Sequence, residues 1–218
     1  GGFISNINPH MSKLPYSDRE FARLSSAQRF LAVAMSQCLS GLNSERPRSD
    51  GIYVILGSSG DGIIEYDESL LLAGLHHEVD QLSETRERLD SFHKLLDTAV
   101  GRTMHDLREF APYTSYLAVV EKFIGTGVKV MGVDAACSSS LYAIDLSISA
   151  LRRGECNVAL CGGVFAPGPA NSCFFSQFQG LSATGSRPLD ASADGVVFGE
   201  GSALVVLKRL PDALADGD

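Results

Sequence analysis

No apolar run in these 218 residues approaches the ~18 needed to cross a bilayer. The opening GGFISNINPH has neither the basic nor the apolar region of a signal peptide, so neither a membrane span nor a secretory leader is expected. Basic charge is short as well. Eighteen Lys and Arg stand against 26 Asp and Glu, a net charge of −8, which argues against a whole-chain grip on nucleic acid. Cysteines do not come in even number. There are five (Cys38, Cys137, Cys156, Cys161, Cys173) in a chain long enough to build its own core, which points away from a disulfide framework and toward free thiols in a reducing cytoplasm. Metal-ligand spacing is also missing: Cys156 and Cys161 are five apart with no second Cys or His pair beside them, so no metal is expected. Histidine is absent from the second half. All five (His10, His76, His77, His93, His105) precede residue 106.

What is present is a globular composition, 44% hydrophobic and 20% charged with mean hydropathy +0.08, which excludes a disordered or collagen-like chain. Apolar residues at helical spacing across 19–40 (Phe21, Leu24, Phe30, Leu31, Ala34, Met35, Cys38) predict one helix stopped by Gly41. GIYVILGSS at 51–59 and VKVMGVD at 128–134 predict buried strands. The charge-mixed stretch at about 66–109 reads as a polar helical excursion whose histidines face solvent. A core helix is expected at 113–124, another after Ser138, and a strand at 157–163. GVVFGEGSALVVLKRL reads as one or two strands in a hairpin or meander. Alternating strand and helix favours an α/β fold with a mostly parallel sheet covered by helices on both faces. Gly-rich LGSSGDG lacks the Lys-Ser/Thr completion of a phosphate loop and reads as a turn.

The most informative segment is VMGVDAACSSSLYAIDL. A strand ends near Asp134, small residues follow, and Cys137 falls at the first turn of a helix. Helix N-terminal amides favour thiolate over thiol and can hold a developing oxyanion. Ala135, Ala136 and three serines leave room for a substrate carbonyl. A sharp strand-to-helix turn is also the device of the serine-hydrolase nucleophile elbow, although G-x-S-x-G is absent. A cysteine taken alone is more often a small buried hydrophobe, but the context of Cys137 reverses that preference.

DAACSSSLYAIDLSISALRRGECNVALCGGV resembles the active-site region of the β-ketoacyl synthase family, within the thiolase superfamily. LSATGSRPLDASADGVVFGEGSALVVLKRL is similar to that family's second signature. The likeness is strong over about 128–211, weak before it, and nearer to polyketide and polyunsaturated-fatty-acid synthases than to stand-alone fatty-acid enzymes. It implies a thiolase-like fold, of which residues 1–218 would be the N-terminal portion, most of the first of two similar halves. It implies that Cys137 accepts an acyl chain from the phosphopantetheine thioester of an acyl carrier protein. A malonyl-type thioester then decarboxylates and its carbanion attacks the enzyme-bound acyl group. Phe175 falls on the aromatic that gates the acyl pocket, with a core phenylalanine as the equal alternative. Asp190, Asp194 and Glu200 fall on acidic positions expected to support loops behind the site, and Gly162, Gly163, Gly199 and Gly201 on points of tight backbone approach. No cofactor is bound directly. A homodimer is implied, with strand 128–134 near its two-fold axis, and Arg152 and Arg153 could touch an acidic carrier protein.

The family's two later histidines and lysine, and one oxyanion-hole amide from a late glycine-rich loop, have no counterpart before Asp218. A first core strand ahead of residue 19 is also expected and not evident. The chain therefore reads as an excerpt or one partner of a longer ketosynthase, carrying the nucleophile half only. Two alternatives stand beside it: a non-catalytic, dimerising homologue that shapes chain length, and a cysteine thioester hydrolase.

Overall fold

The computed structural model describes Ile4, Ile7 and residues 14–42, 51–59, 64–82, 85–100 and 111–218. Where one helix is expected over 19–40 there are two, α1 (Asp18–Arg23) and α2 (Ser26–Ser40). The break is made by side chains. Ser25 accepts from the Gln28 amide at 3.2 Å while Gln28 accepts from the Ser25 amide at 2.8 Å, a reciprocal cap that starts α2 afresh. Ser17 and Glu20 cap α1 in the same way.

Four strands follow in the order β2–β1–β3–β4: β1 (Ile52–Gly57), β2 (Lys129–Val133), β3 (Val158–Phe165) and β4 (Gly201–Lys208). β1 runs parallel to β2 and to β3, whereas β4 is antiparallel to β3. β4 is a single strand; upstream of it, Val196 bridges to Leu181 instead of starting a hairpin. Side chains alternate across the sheet. Ile52, Val54, Leu56, Val158, Leu160 and Val164 face one layer, made by α2 and by α5 (Pro112–Ile124), in a core that includes Leu31, Met35, Val119 and Val120. Ile55, Ala159 and Cys161 face the other, α6 (Ser139–Arg152). The central strands are thus covered on both sides, which is why they read as unbroken apolar runs.

β2 departs from expectation. It stands at the sheet edge and is largely exposed, Met131 at 37%. An apolar run signals a strand but not what covers it. The excursion consists of two helices, α3 (Ile64–Asp80) and α4 (Arg86–Val100), packed on each other. The remaining helices are α7 (Pro169–Gln177) and α8 (Leu210–Asp216).

Arg209 ties the end of β4 back to the end of α6. Its guanidinium donates to the Leu151 and Cys156 carbonyls at 3.0 and 2.8 Å and to Asn157 Oδ1 at 2.7 Å, and pairs with Asp212 at 2.7 Å. Arg209→Ala removes all of these side-chain bonds, although the Leu151 carbonyl keeps the Gly154 amide at 3.2 Å. It is expected to cost about 1–3 kcal/mol, read as a lowered denaturant midpoint with unchanged slope.

Candidate active site

Beyond β2 the chain turns sharply through Asp134–Ser138 before α6 begins. Asp134 Oδ1 accepts from the Ala136 amide at 3.0 Å. Ser139 Oγ accepts from the Ala135 amide at 2.8 Å and donates to the Ala136 carbonyl at 2.7 Å. These bonds hold Ala136 at φ +49°, a left-handed conformation that costs a residue bearing a β-carbon. Ala136–Ser138 form one 3-10 turn that runs directly into α6. Cys137 lies in this turn and is exposed. The alternative of a buried, hydrophobic Cys137 does not fit that position.

The turn rests on glycine. Gly57 of β1 and Gly163 of β3 are register partners, side by side at the same end of the sheet. A β-carbon at Gly57 would lie 2.4 Å from the Ser139 carbonyl carbon and 2.5 Å from the Ser140 amide; one at Gly163 would lie 3.1 Å from Ser140 Cβ. The absence of both side chains lets the start of α6 settle onto the strand ends. Gly162 serves a similar close approach to the Ala203 carbonyl of β4.

A cavity of about 180 Å³ opens beside the turn, lined by Leu56, Ser58, Tyr113, Tyr116, Met131 and Asp134 among others. Its wall is mostly apolar. Tyr116 is buried and shares a 2.8 Å hydrogen bond with Ser58, and burial pushes its phenol up to about 12. The Ser58 amide in turn donates to the Val133 carbonyl at 3.0 Å, linking β1 to the last residue of β2.

The five free thiols occupy different surroundings. Cys156 and Cys161 are buried and raised by that burial, and Cys38 is half-buried and pushed up to about 11 for the same reason. Cys137 and Cys173 are exposed.

Phe175 is half-buried in an aromatic cluster, with ring centroids 4.9 Å from Phe178 and 4.8 Å from Phe198. Asp194 accepts from Ser182 Oγ at 2.5 Å and Thr184 Oγ1 at 2.8 Å, bonds that hold its carboxyl below the usual range. Asp190 caps its loop through the Ser192 amide and hydroxyl, both at 2.7 Å, and is lowered likewise. Glu200 accepts from the Ile4 amide at 2.6 Å. Each of the three carboxylates is therefore bound to a loop or to the N-terminal segment.

The excursion's histidines are not all at the surface. His77 is exposed, but His76 is buried between α3 and α4, against His93 and Asp97. His10 and His105 lie outside the described residues. Three features escaped the sequence reading: the glycine floor at Gly57, the Ser58–Tyr116 pair and the His76–His93 pair. The glycine was visible in LGSS, and each histidine has an Asp four residues later, but neither pattern alone says what it will touch. Among the described residues no helix is long and apolar enough to cross a membrane, and no group of three or more His, Cys, Asp or Glu could hold a metal ion.

Comparison with known proteins bears on this turn and sheet. The family profile described as "Beta-ketoacyl synthase, N-terminal domain" matches residues 1–213. A phenolphthiocerol/phthiocerol polyketide synthase of Mycobacterium tuberculosis is 34% identical over 230 residues, covering all of this chain and 9% of that protein. Polyketide synthase ThaG of Burkholderia thailandensis is 53% identical over 88 residues, 39% of this chain and 2% of its own length. The chain thus spans under a tenth of these relatives. Among solved structures, "PfaC Keto synthase-Chain length factor" superimposes with TM-score 0.74 at 26% identity, covering 100% of this chain and 24% of its own. "The ishigamide ketosynthase/chain length factor" gives 0.71 at 21%, with 99% and 48% covered, a likeness of fold. A resemblance resting on two blocks of sequence is thereby extended to nearly the whole length, and the chain belongs to the β-ketoacyl synthase family, matching its N-terminal domain.

Proposed function

We propose that this chain carries the acyl-accepting half of a ketosynthase from a polyketide- or fatty-acid-forming synthase. One observation carries the reading. Cys137 is exposed in a strained turn between the edge strand and a 14-residue helix, at the end of the sheet where β1 and β2 terminate together. In the proposed reaction the Cys137 sulfur attacks the thioester carbonyl of an acyl chain held on an acyl carrier protein's phosphopantetheine. The carrier thiol leaves with the proton, and the acyl group stays on sulfur. Main-chain donors at the helix start stabilise the tetrahedral oxyanion. The second, decarboxylative half-reaction with a malonyl-type thioester calls for histidines that do not occur after Cys137 in this sequence. Phe175 is proposed to border the acyl chain, and Asp190, Asp194 and Glu200 to keep the surrounding loops in shape. A second copy of the chain is proposed to cover β2, whose outer edge has no strand partner among the described residues and bears Val130, Met131 and Val133.

Two structural neighbours are named in part for a chain length factor, which would fit the alternative of a non-catalytic homologue. The exposed Cys137 favours the catalytic reading, because a purely structural half has no use for a thiol in a strained, open turn. Thioester hydrolysis on the same sulfur would release free acid instead of a stable acyl-enzyme.

The test is selective labelling. At pH 7.5 a chloroacetyl-thioester electrophile is expected to modify Cys137 first. Cys38, Cys156 and Cys161 should stay unmodified, since burial keeps them as thiols. Peptide mapping that finds Cys173 or Cys38 labelled ahead of Cys137 would overturn the assignment.

A further inference from the structure

In the α3–α4 hairpin four titratable groups that acyl transfer does not use come together. His76 and Asp80 lie four apart on α3, and His93 and Asp97 four apart on α4, so each helix presents an imidazole and a carboxylate one turn apart. The helices meet so that these groups pair crosswise. His76 Nε2 is 2.9 Å from Asp97 Oδ1, and His93 Nε2 is 3.1 Å from Asp80 Oδ1. The two Nδ1 atoms face each other at 2.5 Å, with ring centroids 4.3 Å apart and planes at 74°. Of the described α3 side chains, Leu72 and His76, one turn apart, are the buried ones, His76 at 7% exposure. Among the described side chains, Asp80 and Asp97 are the charged groups that pair with the two imidazoles. His77, Glu78, Asp90 and Lys94 are exposed.

Proton counting then constrains the pair. Each Nε2 faces an acceptor-only carboxylate and must carry its own proton. Two Nδ1 atoms at hydrogen-bond distance need one proton between them, since two would collide and none would leave opposed lone pairs. The arrangement is satisfied by three ring protons, one more than two neutral imidazoles hold. The resulting single positive charge faces two carboxylates, which leaves the four groups together at a net charge of −1.

We propose that His76 and His93 form a proton-operated latch: one proton bridges their Nδ1 atoms, and the hairpin is held most firmly in that state. Losing the bridging proton at alkaline pH, or adding a fourth at acid pH, breaks the Nδ1 contact and loosens α3 from α4. The latch lies on the segment that joins two walls of the cavity, because the chain enters the hairpin after Ser58 and returns from it to Tyr113. It does not depend on the acyl-transfer reading.

Hydrogen–deuterium exchange of the intact protein, corrected for the intrinsic pH dependence of amide exchange, tests this. Peptides spanning 70–82 and 86–98 are expected to be most protected near pH 6.5 and at least threefold less so at pH 5 and pH 8.5, while peptides of α6 hold steady. His93→Phe should flatten the profile at its low level. Because that variant could unfold the hairpin, wild-type protein labelled with 15N-histidine supplies an independent readout: one protonated Nδ1 shared by two rings at pH 6.5. A flat or monotonic exchange profile, or two unprotonated Nδ1 atoms at pH 6.5, overturns the latch. Greater protection on adding Zn²⁺ at pH 8.5 than on returning to pH 6.5 also overturns it, in favour of a metal site.

Discussion

Cys137→Ala is expected to eliminate covalent loading. With an acyl thioester as donor, the wild-type chain should gain one acyl mass, whereas the variant should gain none, a fall of at least ~10³-fold in loading rate. The size of the effect follows from the chemistry, since without sulfur no covalent intermediate can form and nothing in the turn replaces it. Stability should hardly change. Cys137 is exposed, and its turn is closed by Asp134, Ala135, Ala136 and Ser139 rather than by the thiol. Substitutions at such surface positions usually fall within about 0.5 kcal/mol. Loss of loading with an unchanged melting curve is thus the expected pair of results. Loading that persists at the wild-type rate on Cys173, the other exposed thiol, would end the assignment.

Gly57→Ala is expected to displace the turn directly, by driving a methyl into the start of α6. The new β-carbon would sit 2.4 Å from the carbonyl carbon of Ser139, 2.5 Å from the Ser140 amide nitrogen and 2.6 Å from the Ser139 carbonyl oxygen. All three are backbone atoms, so no side chain can swing aside; the start of α6 must lift or β1 must bend. Overpacking of this kind costs about 1–3 kcal/mol, and a displacement near 1 Å at a reacting group can cost about 10²-fold in rate. The variant should therefore melt several degrees lower and label at Cys137 at least tenfold more slowly. Gly74→Ala is the matched control. Gly74 lies within α3 with nothing inside 4 Å of its added methyl, and alanine there should be neutral or stabilise by up to about 1 kcal/mol. Equal losses from both substitutions would show that Gly57 has no special contact with α6.

Much of the fold was legible before any coordinates. GIYVILG and NVALCGG are apolar at nearly every position because both strands are buried on two faces, and their glycine punctuation marks their ends. The candidate nucleophile was legible for the same reason: strand, small residues, cysteine and helix follow one another within a dozen positions, so local pattern suffices. The break between α1 and α2 was hidden because Phe21 and Leu24 sustain the helical spacing while Ser25 and Gln28 end it through side-chain bonds. The burial of His76 was hidden too, because a charge-rich stretch looks solvated until a partner helix is laid against it.

Local order along the chain therefore determined which segments are strands or helices and where Cys137 falls among them, because hydrophobic period, glycine stops and caps act over a few residues. Packing decided the rest. The edge position of β2, the pairing of Gly57 with Gly163 beneath α6, and the crosswise meeting of His76 with Asp97 and of His93 with Asp80 join residues from 13 to more than 100 positions apart. Such contacts depend on which elements share a layer, and that choice minimises exposed apolar area over the whole molecule instead of following any short-range rule.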